Sequence, residues 1–236
     1  VLFDENYEII SIGQNEFTQF FPDSGWVEHD PEEIWTSTLE ACRSAIKQSK
    51  IDPNQIRAIG ITNQRETTVV WDKETGMPIY NAIVWQDRRT SDYCQSLRSL
   101  GHESLVNQKT GLLLDPYFCA TKIAWILDNV DGAREKANKG GLLFGTIDCF
   151  LMWRLSNQKI HSTDATNACR TLLYNIHEGC WDKDLLELFN VPASMLPEVY
   201  DNAADFGVAD ESIFGSEIAI TAYIGDQPSA LVGQAC

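Results

Sequence analysis

Gly60-Ile61-Thr62-Asn63-Gln64-Arg65-Glu66-Thr67-Thr68-Val69-Val70-Trp71 is the stretch that decides the fold. It starts within an apolar run, Ala58 to Ile61, that predicts a buried strand, and then turns abruptly polar from Asn63 to Glu66. In open α/β sheets, ligands gather at the carboxyl ends of strands. Arg65 and Glu66 at such an end offer donors and acceptors for vicinal hydroxyls, although an isolated Arg-Glu step at a strand end is more often a solvated surface pair. A second segment, Ala82-Ile83-Val84-Trp85-Gln86-Asp87-Arg88-Arg89, follows through Lys73-Glu74-Thr75-Gly76. Its apolar strand ends in Trp85, a side chain suited either to the core or to covering a carbon skeleton.

Towards the N-terminus, Val1 to Phe3 and Tyr7 to Ile12 read as a hairpin turned at Asp4-Glu5-Asn6, with the first strand already under way, and Phe20 to Trp26 as a loop. A helix starts after Asp30, with Pro31 at its first position and Glu33 as capping-box partner. Ile34, Thr38, Ala41, Cys42, Ala45 and Ile46 then share one face, which places Cys42 in the core. Hairpin, helix and strand in this order predict an α/β domain.

Towards the C-terminus, helices are predicted from Arg89 to Gly101, Glu103 to Lys109, Lys122 to Asn129 and Arg134 to Lys139, and from Thr146 and Trp181 onwards. Leu142 to Phe144 reads as a strand. Ala219 to Ile224 is another, and it delivers Gly225-Asp226-Gln227 on a tight turn where backbone can approach a ligand.

The 236 residues, 44% hydrophobic and 22% charged, suffice for one sizeable core. No repeat or linker interrupts them, so residues 1–236 are read as one domain. A net charge of −16 argues against nucleic acid and anionic membranes as partners, and no apolar run is long enough to span a bilayer. Seven cysteines scattered without paired spacing indicate reduced thiols and a cytoplasmic setting. The four histidines share no ligand spacing, so no metal centre or Cys-His nucleophile is expected from them.

The phrases Gly60–Thr68 and Tyr80–Arg89 closely resemble G-I-T-N-Q-R-E-T-T and Y-N-A-I-V-W-Q-x-R-R of the glycerol kinases in the FGGY carbohydrate kinase family. Tyr117 and Lys122 approximate the first FGGY signature, with Cys119 where the pattern has Ser, Thr or Pro. Phe144–Trp153, Ser162–Ala168, Arg170-Thr171-Leu172, Met195–Val199 and Gly225-Asp226-Gln227 also read like the family. The resemblance implies a ribonuclease H-like α/β fold of the actin-like ATPase superfamily, a mixed sheet flanked by helices.

It also implies ATP-dependent phosphorylation of glycerol. Asp226 would be the general base, near Mg2+ through water. Arg65, Glu66, Tyr117, Asp226 and Gln227 would bind the triol, and Trp85 would pack against its carbons. No phosphate-binding glycine loop is found in the sequence. In similar kinases it precedes the position of Val1, and the adenosine pocket lies in a second domain. The chain is therefore expected to be a substrate-binding domain without its opening strand, inactive alone, with an exposed sheet edge or gap where that strand belongs. The full-length enzyme is expected to be a homo-oligomer.

Three rival readings stay open at this point. A kinase of the same family acting on another polyol or ketose would keep the same base. A non-catalytic binding module would keep only the fold. A glycosidase using paired acids would hydrolyse without nucleotide.

Overall fold

Antiparallel strands β1 (Leu2–Phe3) and β2 (Ile9–Ser11) open the computed structural model, which describes residues 1–235. The Asp4 carboxylate closes their turn by accepting from the N–H groups of Asn6 and Glu8. Strands β3 (Gln19–Phe20) and β4 (Glu28–His29) lead to the long helix α1 (Pro31–Ser49). Asp30 caps α1 by accepting from the Glu32 N–H at 2.8 Å, with Pro31 at the first position as expected. Glu33 does not close the expected capping box. Its carboxylate accepts from the backbone N–H and the hydroxyl of Thr18 at 3.0 and 2.9 Å, because two tertiary donors outcompete one local N–H.

Next come β5 (Ala58–Asn63), β6 (Val69–Asp72) and β7 (Ala82–Ile83). Four helices follow, α2 (Ser91–Ser99), α3 (Glu103–Thr110), α4 (Cys119–Asn129) and α5 (Ala133–Asn138). Then come β8 (Leu142–Gly145), α6 (Ile147–Leu155), β9 (Ser162–Asp164) and α7 (Ala165–Ala168). The chain continues through β10 (Tyr174–Asn175), β11 (Cys180–Trp181), α8 (Lys183–Leu188) and β12 (Glu198–Tyr200). It closes with β13 (Val208–Ala209), α9 (Glu211–Phe214), β14 (Ile218–Gly225) and α10 (Asp226–Gly233). Trp181, expected to begin a helix, lies in β11, because the Asp182 carboxylate caps α8 by accepting from the Asp184 and Leu185 N–H groups.

The architecture is α/β, and the expected mixed sheet is present in miniature. Strand β14 pairs parallel to β5 and antiparallel to β13, while β3, β4 and β7 form an antiparallel sheet. The remaining ladders are two-stranded, since every strand except β5 and β14 has only two to four residues. Strand β5 was expected to be buried, yet Ala58, Gly60 and Thr62 are exposed. It pairs on one side with β14 and takes no strand on the other among the described residues. An apolar groove of about 370 Å³ runs along it between α1 and Ile218, and Cys42 on its wall is half-buried instead of in the core.

Two apolar cores flank the antiparallel pair β6–β8. Val69 and Trp71 face one core, with Trp35, Phe150 and Tyr223; Val70 and Phe144 face the other, with Ile123, Leu127 and Phe189. Strand β6 is therefore buried on both faces, which is why Val69-Val70-Trp71 are apolar in succession instead of alternating. Helix α6 is buried at every position except Arg154 and shows no polar face in sequence. No helix is long and apolar enough to cross a membrane among the described residues. Cys42, Cys94, Cys119, Cys149, Cys169 and Cys180 are free thiols, and Cys236 lies outside the described residues.

Candidate active site

Parallel pairing sets Asn63 of β5 opposite Gly225 of β14. The segments that follow, Gln64 to Glu66 and Asp226-Gln227, therefore leave the sheet at the same end, where α/β sheets collect ligands. Gly225 caps α10, so Asp226 opens a helix instead of sitting on the expected tight turn. Gly225 keeps extended backbone at φ −60° and ψ 155°, and helical backbone begins at Asp226.

Arg65 joins the two segments. Its Nη2 donates to Gln227 Oε1 at 2.6 Å, its Nη1 donates to the Thr166 carbonyl at 3.3 Å, and its Nε lies 3.7 Å from Asp226 Oδ1. The Arg65 side chain is 10% exposed and the Asp226 side chain 52%. Arg65 Nε and the hydroxyl of Thr67 are buried and have no hydrogen-bond partner among the described residues. Buried donors of this kind are costly unless something fills them.

Glu66 occupies the left-handed region at φ 64°, and the Thr67 N–H donates to the Arg65 carbonyl at 2.8 Å, closing a tight turn. Three donors hold the strained unit through the Glu66 carbonyl: Lys122 Nζ at 3.0 Å, the Thr68 hydroxyl at 3.3 Å and the Cys119 thiol at 3.5 Å. Lys122 is fully buried and also donates to the Tyr117 carbonyl at 2.7 Å, and burial pulls its ammonium down to about 8. Cys119, which stands where the family pattern has Ser, Thr or Pro, acts here as a thiol donor. Burial pushes its thiol up to about 12, which keeps the proton on sulfur.

The Glu66 carboxylate, 2% exposed, accepts from Arg170 Nε at 2.5 Å. Burial raises its pKa against the pull of that guanidinium. Arg170 also lies over the rings of Tyr117 and Phe118, 5.6 and 4.8 Å from their centroids. Tyr117 packs on Trp85 with ring centroids 5.6 Å apart. Trp85, Tyr117, Arg170, Glu66, Arg65, Gln227 and Asp226 thus form one continuous chain of contacts, with an aromatic wall at one end and a carboxylate open to solvent at the other.

Sequence reasoning singled out six of these side chains and missed Arg170, whose only signal was its place in a family-like phrase. Arg89 of the second segment has a structural task. Its guanidinium is wholly buried between Trp26 and Trp125, 3.8 and 4.6 Å from their rings, and pairs with Glu28 and Asp87. His161 is likewise structural: its Nε2 donates to the Phe144 carbonyl at 2.8 Å beside Trp71 and Trp153. Among the described residues no three His, Cys, Asp or Glu side chains converge on a metal position.

The model of the FGGY family of carbohydrate kinases, N-terminal domain, matches residues 1–233. The chain belongs to this family. As an FGGY domain, it is 59% identical over 236 residues to a glycerol kinase from Rhodopseudomonas palustris (strain BisA53), spanning 100% of this chain and 47% of that protein. It is 61% identical to a glycerol kinase from Marinomonas sp. (strain MWYL1), spanning 100% of this chain and 48% of that protein. The chain thus spans about half the length of the curated relatives it matches.

Among solved structures, Plasmodium falciparum glycerol kinase with ADP superposes with a TM-score of 0.94 at 37% identity, over 99% of this chain and 47% of that one. A ligand-bound xylulose kinase from Lactobacillus acidophilus shares the fold at a TM-score of 0.82 and 20% identity, over 93% of this chain and 44% of that one.

Proposed function

We propose that this FGGY domain is the glycerol-binding half of an ATP-dependent glycerol kinase, with the ribonuclease H-like fold of the actin-like ATPases. The observation that carries the reading is the convergence of Arg65, Glu66, Asp226 and Gln227 beside the Trp85–Tyr117 wall. A three-carbon triol has three hydroxyls and one apolar edge. Arg65 Nε, which has no hydrogen-bond partner among the described residues, would donate to one hydroxyl and the Glu66 carboxylate would accept from it or its neighbour. Trp85 and Tyr117 would cover the carbons. A substrate lacking a hydroxyl would leave a buried donor or carboxylate unpaired, the basis of strong discrimination.

Asp226 would take the proton of the attacking hydroxyl while its oxygen bonds to the terminal phosphorus of ATP and the bond to ADP breaks. Its half-exposed carboxylate suits this task, because a nucleotide and a base must meet at an open face. The same carboxylate would hold Mg2+ through water, since a single protein carboxylate plus phosphates and waters satisfies that ion. When bound, Mg2+ would neutralise charge on the transferring phosphates. Identity near 60% to two glycerol kinases supports the substrate over another polyol or ketose.

The free edge of β5 and its apolar groove suit an opening strand of the same domain, and a nucleotide-binding second domain would complete the cleft. The chain alone would then not turn over ATP. The test is ATP-dependent phosphorylation by the chain in its full reading frame, assayed against glycerol, xylulose, ribulose and gluconate with D226N as control. Turnover confined to glycerol and lost in D226N is expected. Preference for another acceptor would remove the glycerol assignment, and no turnover from folded protein would favour a binding module.

A further inference from the structure

Asp226 is held in place almost entirely through the backbone. Its side chain is half exposed and, apart from the long approach to Arg65, accepts among the described residues only from the neighbouring Gln227 N–H at 2.8 Å. The position of the carboxylate therefore follows from the backbone at Gly225, where the chain leaves the sheet. The buried Gly225 N–H needs an acceptor at that exit. The Thr166 hydroxyl supplies it at 2.9 Å.

That hydroxyl has one proton and it is committed elsewhere. Thr166 Oγ1 donates to Asp164 Oδ2 at 2.5 Å, and the Thr166 N–H donates to the same oxygen at 2.7 Å. A carboxylate only accepts, so Asp164 draws the hydroxyl proton towards itself and leaves an oxygen lone pair facing the Gly225 N–H. Asp164 is fully buried and is fixed in turn by the side-chain amides of Asn167 and Asn202, each at 2.6 Å. Asn202 also donates to the Tyr223 carbonyl of β14 at 3.0 Å, so the network grips the same strand twice. Meanwhile the Thr166 carbonyl accepts from Arg65 Nη1 at 3.3 Å. One residue thus holds the strand exit that presents the base through its hydroxyl, and the substrate-facing guanidinium through its backbone.

We propose that Thr166, oriented by Asp164, is a positioning residue that sets Asp226 relative to the hydroxyl it deprotonates. The inference rests on the glycerol kinase reading above. The two halves of the device are separable, because a side-chain substitution at Thr166 removes the hydroxyl and leaves the carbonyl on Arg65. Loss of the hydroxyl therefore acts on the chemical step and spares ground-state binding.

The test is steady-state kinetics of the full-reading-frame enzyme as T166V and T166S, with T166A used if T166V does not fold. T166V is expected to lower kcat about 10²-fold, the effect of a small misplacement of a catalytic group, with the KM for glycerol changed by about threefold at most. T166S retains the donor and acceptor and is expected to recover kcat to within about threefold of wild type. Wild-type kcat in the folded T166V or T166A enzyme would overturn the inference, as would equal losses in T166S and T166V, or KM rising in step with the fall in kcat/KM at unchanged kcat. An inactive wild-type enzyme would instead remove the kinase assignment, and this inference with it.

Discussion

The Arg65 side chain fills the space that a side chain on Gly225 would need: a Cβ built there would lie 2.2 Å from Arg65 Cδ and 2.6 Å from Cγ. Gly225 has an ordinary φ of −60°, so contact with Arg65, not backbone conformation, demands glycine. G225A must push the guanidinium away from Gln227 and Asp226. We expect glycerol affinity to fall about tenfold, equivalent to losing one charge-assisted hydrogen bond. Overpacking should also lower stability by about 1–3 kcal/mol. Calorimetric titration with glycerol and a denaturant melt check the two effects, and unchanged affinity would refute the contact.

Arg170 is the cation that makes a buried Glu66 tolerable. R170M leaves a carboxylate that is 2% exposed without its guanidinium, and we expect a loss of about 3 kcal/mol in unfolding free energy. The double variant E66Q/R170M should recover part of that loss, because the uncompensated charge is gone. Additive losses in the double-mutant cycle would show that the pair is not coupled.

Asp226 lies half exposed at the first turn of α10 and carries little of the fold. D226N should therefore retain the wild-type melting temperature while lowering kcat about 10²–10⁴-fold, the range of a general base. Kinetics and a thermal melt on the same preparation check this, and a D226N enzyme with near wild-type kcat would exclude Asp226 as the base.

His161 predicts a pH dependence of stability. Burial between aromatic rings pulls its pKa down to about 4 from 6.5, although its hydrogen bond to the Phe144 carbonyl opposes the change. A group whose folded pKa lies below its unfolded value contributes stability that is fully present above the unfolded value and is lost as pH falls towards the folded one. Unfolding free energy is therefore expected to drop between pH 6.5 and about pH 4. H161Q, which keeps a donor for Phe144 and does not titrate, should flatten that part of the profile in urea melts at stepped pH.

The sequence by itself determined the elements whose causes are local. Asp30 and Pro31 start α1 because capping needs only an oxygen and a fixed φ within one turn, and the polar switch after Ile61 marks a strand end because periodicity breaks there. The consecutive match of Gly60–Thr68 and Tyr80–Arg89 to a family wording reached further than any spacing rule, and with the other family-like phrases it pointed to six side chains that the fold brings together in the candidate site. Tertiary structure alone decided what depends on segments distant in the chain. It turned Glu33 away from its cap towards Thr18 and set Cys119 as a thiol donor on the Glu66 carbonyl. Arg170 meets Glu66 across 104 residues, and Thr166 meets Gly225 across 59. Side chains of ordinary type carry no local signal for such partners, since the buried carboxylate or orphan N–H that needs them exists only once the strands have paired.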